Sequence, residues 1–95
     1  MSSEDRRDIR EPERVGIVVS GKDLEGHPFE EQTESIDISA VGISFYLKTL
    51  VSPRCFISVE LGKSTQFGYL GKVTAVVARL EDSPSGNRLV AAEFV

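Results

Sequence analysis

The stretch SIDISAVGISF, Ser35 to Phe45, begins as an alternating strand and then breaks its own period. Ile36 and Ile38 face one way by alternation, and Asp37 and Ser39 the other. Val41 follows, Gly42 interrupts the run, and Ile43 and Phe45 resume it. Two apolar segments split at a glycine read as consecutive strands, 29–39 and 42–48, joined by a corner. The polar residues Asp37 and Ser39 sit where the chain turns, and that placement asks for a reason beyond folding.

The sequence on either side continues as strands. Val15 to Ser20 (VGIVVS) is β-branched and ends at Gly21. GKDLEGHP, residues 21–28, is turn chemistry. After the corner, Ser52-Pro53 marks a turn, and Arg54 to Leu61 places Cys55, Ile57 and Val59 on one face. GKST is the next turn. Gln66 to Leu80 is long, with Phe67, Tyr69, Val73, Ala75 and Val77 on one parity, and with Gly68 and Gly71 as sites for a bend or bulge. DSPSGN, residues 82–87, is a loop, and Arg88 to Val95 closes the chain with Val90, Ala92 and Phe94 on one face. About six strands and no convincing amphipathic helix predict an all-β fold. An uncovered sheet has exposed edges, so the expectation is closure into a small antiparallel barrel over residues 15–95.

Residues 1–14, MSSEDRRDIREPER, read as a flexible arm, and Pro12 biases Glu11 away from helix. Arg6, Arg7, Arg10 and Arg14 alternate there with Asp5, Asp8, Glu11 and Glu13. Taken alone, such an arm is a solvated, self-neutralising tail.

Composition narrows the classes of function. Ninety-five residues make one domain, which buries roughly 60–65% of its unfolded surface. The net charge of −4 disfavours a general nucleic-acid binder. One cysteine allows no internal disulfide and fits a reducing compartment, so a cytoplasmic location is expected. No apolar run is long enough to cross a bilayer, and the charged N-terminus is not a secretory signal.

Enzymatic chemistry finds little support. His27 stands in a turn with no second ligand nearby, so no metal site is expected. Cys55 has an inward parity and no basic neighbour to activate it. Glu30, Glu31 and Glu34 line a charged strand face, with nothing to mark two of them as an acid–base pair. There is no phosphate-binding glycine loop, zinc spacing or nucleophile elbow.

Two constellations remain: Arg6-x-x-x-Arg10, with a second frame at Arg10-x-x-x-Arg14, and Asp37-x-Ser39-x-x-Gly42. In extended chain, arginines four apart point to the same side, about 13 Å from each other. Each guanidinium can fork onto a phosphate, pair with the O6 and N7 edge of guanine, or stack on a base. An ionised Asp37 accepts only, which suits the N–H donors of guanine's Watson–Crick edge. Ser39 donates or accepts locally, and Gly42 permits a positive φ and close backbone approach. A guanine nucleotide held between a mobile arginine arm and a strand corner satisfies every group.

At these residues the sequence resembles the PilZ domain family, receptors for the bacterial second messenger cyclic di-GMP. The family pattern is RxxxR followed, past one strand and a hairpin, by (D/N)xSxxG. Here Arg6-x-x-x-Arg10 is followed by Pro12, the strand VGIVVSG and then DISAVG, and LVAAEFV is similar to the family's last barrel strand. The resemblance implies a six-stranded barrel that binds cyclic di-GMP on its outer surface, often as an intercalated dimer of the dinucleotide. It implies that Arg6 and Arg10 take guanine edges and phosphates, that Asp37 and Ser39 take the guanine and its surroundings, and that Gly42 shapes the turn. Arg7 and Arg14 are further candidates. The family's C-terminal helix has no counterpart before the chain stops at Val95.

The resulting expectation is a non-enzymatic cytoplasmic sensor with no cofactor and no metal. Its arm orders on ligand and signals to an unidentified protein partner, without nucleic-acid binding or membrane insertion. The alternative is a PilZ-like protein-interaction adaptor that binds no nucleotide. A small nucleic-acid-binding barrel is a further rival, disfavoured by the acidic charge and by having only Phe56, Phe67 and Tyr69 as platform residues.

Overall fold

A computed structural model describes residues 11–12, 14–61 and 71–95. Arg6, Arg7 and Arg10, the GKST turn, and Phe67, Gly68 and Tyr69 lie outside the described residues. The described chain consists of strands and connections: β1 (Glu11–Pro12), β2 (Gly16–Lys22), β3 (Pro28–Ile38), β4 (Gly42–Leu47), β5 (Phe56–Leu61), β6 (Gly71–Asp82) and β7 (Arg88–Phe94). The order around the sheet is β1-β3-β2-β5-β6-β7-β4, and β3 also pairs with β4. That last pairing closes six antiparallel strands into a barrel, leaving β1 as a short addition beside β3. Closure removes the unpaired edges that a helix-free sheet exposes.

The alternation expected from sequence supplies the core. Ile57 and Val59 of β5, Ala75 and Val77 of β6, and Val90 and Ala92 of β7 are all buried, with Cys55, Val73 and Phe94 packed against them. Val19, Val59 and Val73 are register partners across β2, β5 and β6, a row of inward side chains. At about 25 cal/mol per Å² of apolar surface, such rows are the main stabilising term of a small barrel. Val51, in a segment that sequence reads only as the approach to a turn, is also part of the core.

Two strands depart from simple alternation. On β3 the register with β4 shifts between Ser35 and Asp37, so Ile36 is the extra residue of a β-bulge. The expected grouping of Ile36 with Ile38 on one side, and of Asp37 with Ser39 on the other, is therefore corrected. Ile38 and Ser39 are buried, whereas Ile36 and Asp37 are partly exposed. On β6 the shift against β7 falls between Val77 and Arg79, with Ala78 as the extra residue. Of the glycines expected to bend this strand, Gly71 opens it with φ +85, but the bulge itself is at Ala78.

Candidate functional site

The corner between β3 and β4 is built by Ser39. Its hydroxyl accepts from the N–H groups of Val41 and Gly42, at 3.1 and 3.0 Å, and points toward the Gly42 carbonyl at 3.4 Å. Its own N–H donates to that carbonyl at 2.8 Å. A hydroxyl has one donor and two acceptor sites, so these contacts use its whole capacity. Ser39 is fully buried and holds the turn from within. Gly42 completes it. A Cβ at Gly42 would lie 2.4 Å from the Ala92 carbonyl oxygen of β7. The expectation of a positive φ at Gly42 is not met, because positive φ among the described glycines occurs at Gly26, Gly71 and Gly86. What Gly42 supplies is the close approach of two backbones.

Asp37 stands just before this corner on the outer face, turned there by the bulge at Ile36. The Ser44 hydroxyl donates to its Oδ1 at 2.7 Å. Asp37 and Ser44 are also register partners, so the bond runs straight across two adjacent strands. That short bond gives the carboxylate a fixed direction. Asp37 and Ser44 border a shallow cavity of about 100 Å³ with Arg79, Glu81, Leu89 and Ala91. Ser44 and Arg79 border this cavity beside Asp37, and sequence reasoning did not single them out.

The N-terminal segment comes back to this corner. Pro12 is in register with Asp37 and Glu11 with Ile38. The segment is tied further along at Val15, whose N–H donates to the buried Ser35 hydroxyl at 2.9 Å and whose carbonyl accepts from the Ser35 N–H at 3.0 Å. Part of the expected arm is thus a short strand on β3. Arg10 directly precedes Glu11 in the chain, and Ser39 directly follows Ile38. Arg14 lies elsewhere. It faces Glu34 at 3.7 Å and borders a second cavity with Ile36, Tyr46 and Asn87, not the one beside Asp37. Among the described residues no cluster of His, Cys, Asp or Glu has the makings of a metal site. No helix among them is long and apolar enough to cross a membrane.

No family model and no curated protein match the sequence. Solved structures do match the fold. The inhibitor of motility MotI/DgrA of Bacillus subtilis superposes with a TM-score of 0.69 at 22% identity, over 98% of this chain and 43% of that one. MrkH of K. pneumonia, in its c-di-GMP complex, gives 0.62 at 17% identity, over 98% of this chain and 45% of that one. The PilZ domain of YcgR from Escherichia coli, with c-di-GMP, gives 0.62 at 13% identity, over 97% of this chain and 79% of that one. The chain spans less than half the length of MotI/DgrA and MrkH. Six antiparallel strands closed into a barrel, superposed over nearly their whole length on these structures, give this chain a PilZ-like fold.

Proposed function

We propose that the chain binds cyclic di-GMP on the outer face of its barrel and acts as a non-enzymatic sensor. Arg6 and Arg10 supply the cations, Asp37 recognises guanine, and Ser39 and Gly42 shape the corner on which the nucleotide rests. The observation that carries this reading is the pairing of Glu11 with Ile38 and of Pro12 with Asp37. It brings residues 11 and 12, which follow the arginines in the sequence, beside Ile38 and Asp37. Arg10 is the neighbour of a paired residue, and Arg6, five residues before Glu11, is tethered within about 18 Å of it. The second support is Asp37 itself, a carboxylate turned outward and oriented by Ser44. The third is the fold shared with MrkH and YcgR, both solved with this dinucleotide.

Binding places charge-assisted hydrogen bonds between the arm and the phosphates, and these bonds order residues before Glu11 against the corner. The ordered arm is the output surface for a protein partner in the cytoplasm, and the ligand enters as a single dinucleotide or as an intercalated pair. A calorimetric titration with cyclic di-GMP, with GTP as the control, tests the reading. Saturable heat with cyclic di-GMP and little with GTP is the expected result, and no heat with cyclic di-GMP refutes it. The adaptor reading draws on one observation: Leu24 and Leu50 are both exposed and lie together, with the Leu24 N–H donating to the Leu50 carbonyl at 3.0 Å. A protein that binds through that pair and gives no nucleotide heat is the adaptor.

A further inference from the structure

The register places four residues in one row across the outer face of the barrel. Asp37 of β3 is opposite Ser44 of β4, Ser44 opposite Ala91 of β7, and Ala91 opposite Arg79 of β6. Three strand spacings separate the ends of the row, about 14 Å. The middle of the row is low, since Ser44 and Ala91 have short side chains. The ends carry an oriented carboxylate and a guanidinium, and all four residues border the same cavity.

Both ends face outward because of an inserted residue. Ser35 is buried, so unbroken alternation would bury Asp37, and the extra residue Ile36 turns it out. Val77 is buried, so unbroken alternation would carry Arg79 into the core, and the extra residue Ala78 turns it out. Bulges re-aim side chains and gather next to binding sites. Two of them, on non-adjacent strands, aim opposite charges at the two ends of one row.

Resting on the cyclic di-GMP reading, we infer that Arg79 is a third arginine of the nucleotide site. It meets the phosphate or the O6 and N7 guanine edge at the end of the row away from Asp37, and Glu81 holds it back until ligand arrives. Arg79 Nε lies 3.5 Å from the Glu81 carboxylate, and both side chains are well exposed. An exposed pair of this kind is weak, so an arriving phosphate outcompetes it. Glu81 occupies the next outward position on β6, opposite Leu89, and borders the same cavity. The carboxylate therefore acts against an anionic ligand twice, by holding Arg79 and by its own charge.

The test is calorimetry with cyclic di-GMP on the 95-residue chain and on its Arg79→Ala, Arg79→Lys and Glu81→Gln variants. Arg79→Ala should weaken binding about tenfold, with Arg79→Lys intermediate because lysine keeps the charge and loses the fork. Glu81→Gln should tighten binding by about two- to threefold. The opposite signs separate a ligand contact from general damage, and matched thermal melts check folding. Wild-type binding with unchanged affinity in Arg79→Ala, or weaker binding in Glu81→Gln, overturns the role of Arg79 and leaves the cyclic di-GMP reading standing. Absence of binding by the wild-type chain overturns both.

Discussion

Pro12 lies directly opposite Asp37 in the antiparallel pairing of β1 with β3. Glu11 is in turn opposite Ile38, the residue before Ser39 at the corner. Residues 11 and 12 are held there by backbone pairing, and Val15 by its two bonds to Ser35.

Replacing Arg6 and Arg10 together by Ala should therefore remove cyclic di-GMP binding without unfolding the barrel. Each lost charge-assisted contact is worth about 1.5–3 kcal/mol, so the pair costs at least about two orders of magnitude in affinity. Both residues precede β1 and the core, so the urea midpoint should not move. Calorimetry and a urea titration on the same sample check both halves, and wild-type affinity in the double variant defeats the role given to the arm.

Asp37→Ala and Ser44→Ala separate recognition from orientation. Asp37→Ala removes the acceptor for the guanine edge and should weaken cyclic di-GMP binding by about tenfold or more. Ser44→Ala leaves the carboxylate in place but releases its 2.7 Å hydrogen bond, so a loss of only a few-fold is expected. Asp37→Asn should lose less than Asp37→Ala, because its amide oxygen still accepts one guanine N–H while its amide nitrogen cannot accept the second. Isothermal titrations of the three variants rank them, and an unchanged affinity in Asp37→Ala removes Asp37 from the site.

Much of this was legible in the sequence because β5, β7 and the part of β6 before its bulge keep strict alternation. Ile57, Val59, Leu61, Ala75, Val77, Val90 and Ala92 are the buried residues of β5, β6 and β7, and each sits on the parity that hydrophobicity gives it. The corner at Ser39 and Gly42 was legible as a break in that alternation. What alternation cannot announce is an inserted residue. Ile36 is apolar and fits the inward parity of Ile38, yet it is the bulge residue. Arg79 carries the opposite signal, a charge on the inward parity of Ala75 and Val77. That conflict marks a bulge for a reader who treats an arginine in a core phase as an anomaly. Ser44 was hidden for another reason: its partner Asp37 is seven residues away, and only strand pairing brings the two together.

Gly42→Ala and Gly16→Ala differ only in what a new methyl meets. At Gly42 the added Cβ would be 2.4 Å from the Ala92 carbonyl oxygen, a backbone atom that cannot rotate away. The β4–β7 pairing must shift to admit it, and overpacking of this kind costs about 1–3 kcal/mol. At Gly16 nothing lies within 4 Å of the added atom and φ is not positive. There the smaller entropy of the unfolded chain should leave stability unchanged or raise it by up to about 1 kcal/mol. Urea unfolding of the two variants should move their midpoints apart. A Gly42→Ala protein as stable as Gly16→Ala contradicts the close approach of β4 to β7. Because the same contact shapes the corner, Gly42→Ala should also weaken nucleotide binding where Gly16→Ala does not.

Glu31 gives the barrel a pH dependence whose sign follows from its contacts. Its carboxylate accepts from the Lys48 N–H at 2.8 Å and from the Thr49 N–H and hydroxyl at 3.0 and 2.7 Å, clasping the end of β4 to β3. Partial burial pushes its pKa up, but the bonds from Lys48 and Thr49 together outweigh that and hold it below the ordinary glutamate value of 4.5. A carboxyl group with a depressed folded-state pKa binds protons more weakly in the native state than in the unfolded state. Its contribution is complete above the unfolded value and is lost as pH falls through the folded value. The clasp should therefore be at full strength at pH 6 and fade below about pH 4.5. Glu31→Gln removes the ionisation and weakens the clasp, so it should lower stability at pH 6 by about 1 kcal/mol, the scale of a lost charge-assisted bond at a partly exposed site. As pH falls through the lowered folded-state value the wild-type carboxyl protonates, and the gap between wild type and Glu31→Gln should narrow. Urea midpoints of both proteins from pH 3 to pH 7 give the comparison, and a gap that stays constant or widens toward acid refutes the role of ionised Glu31.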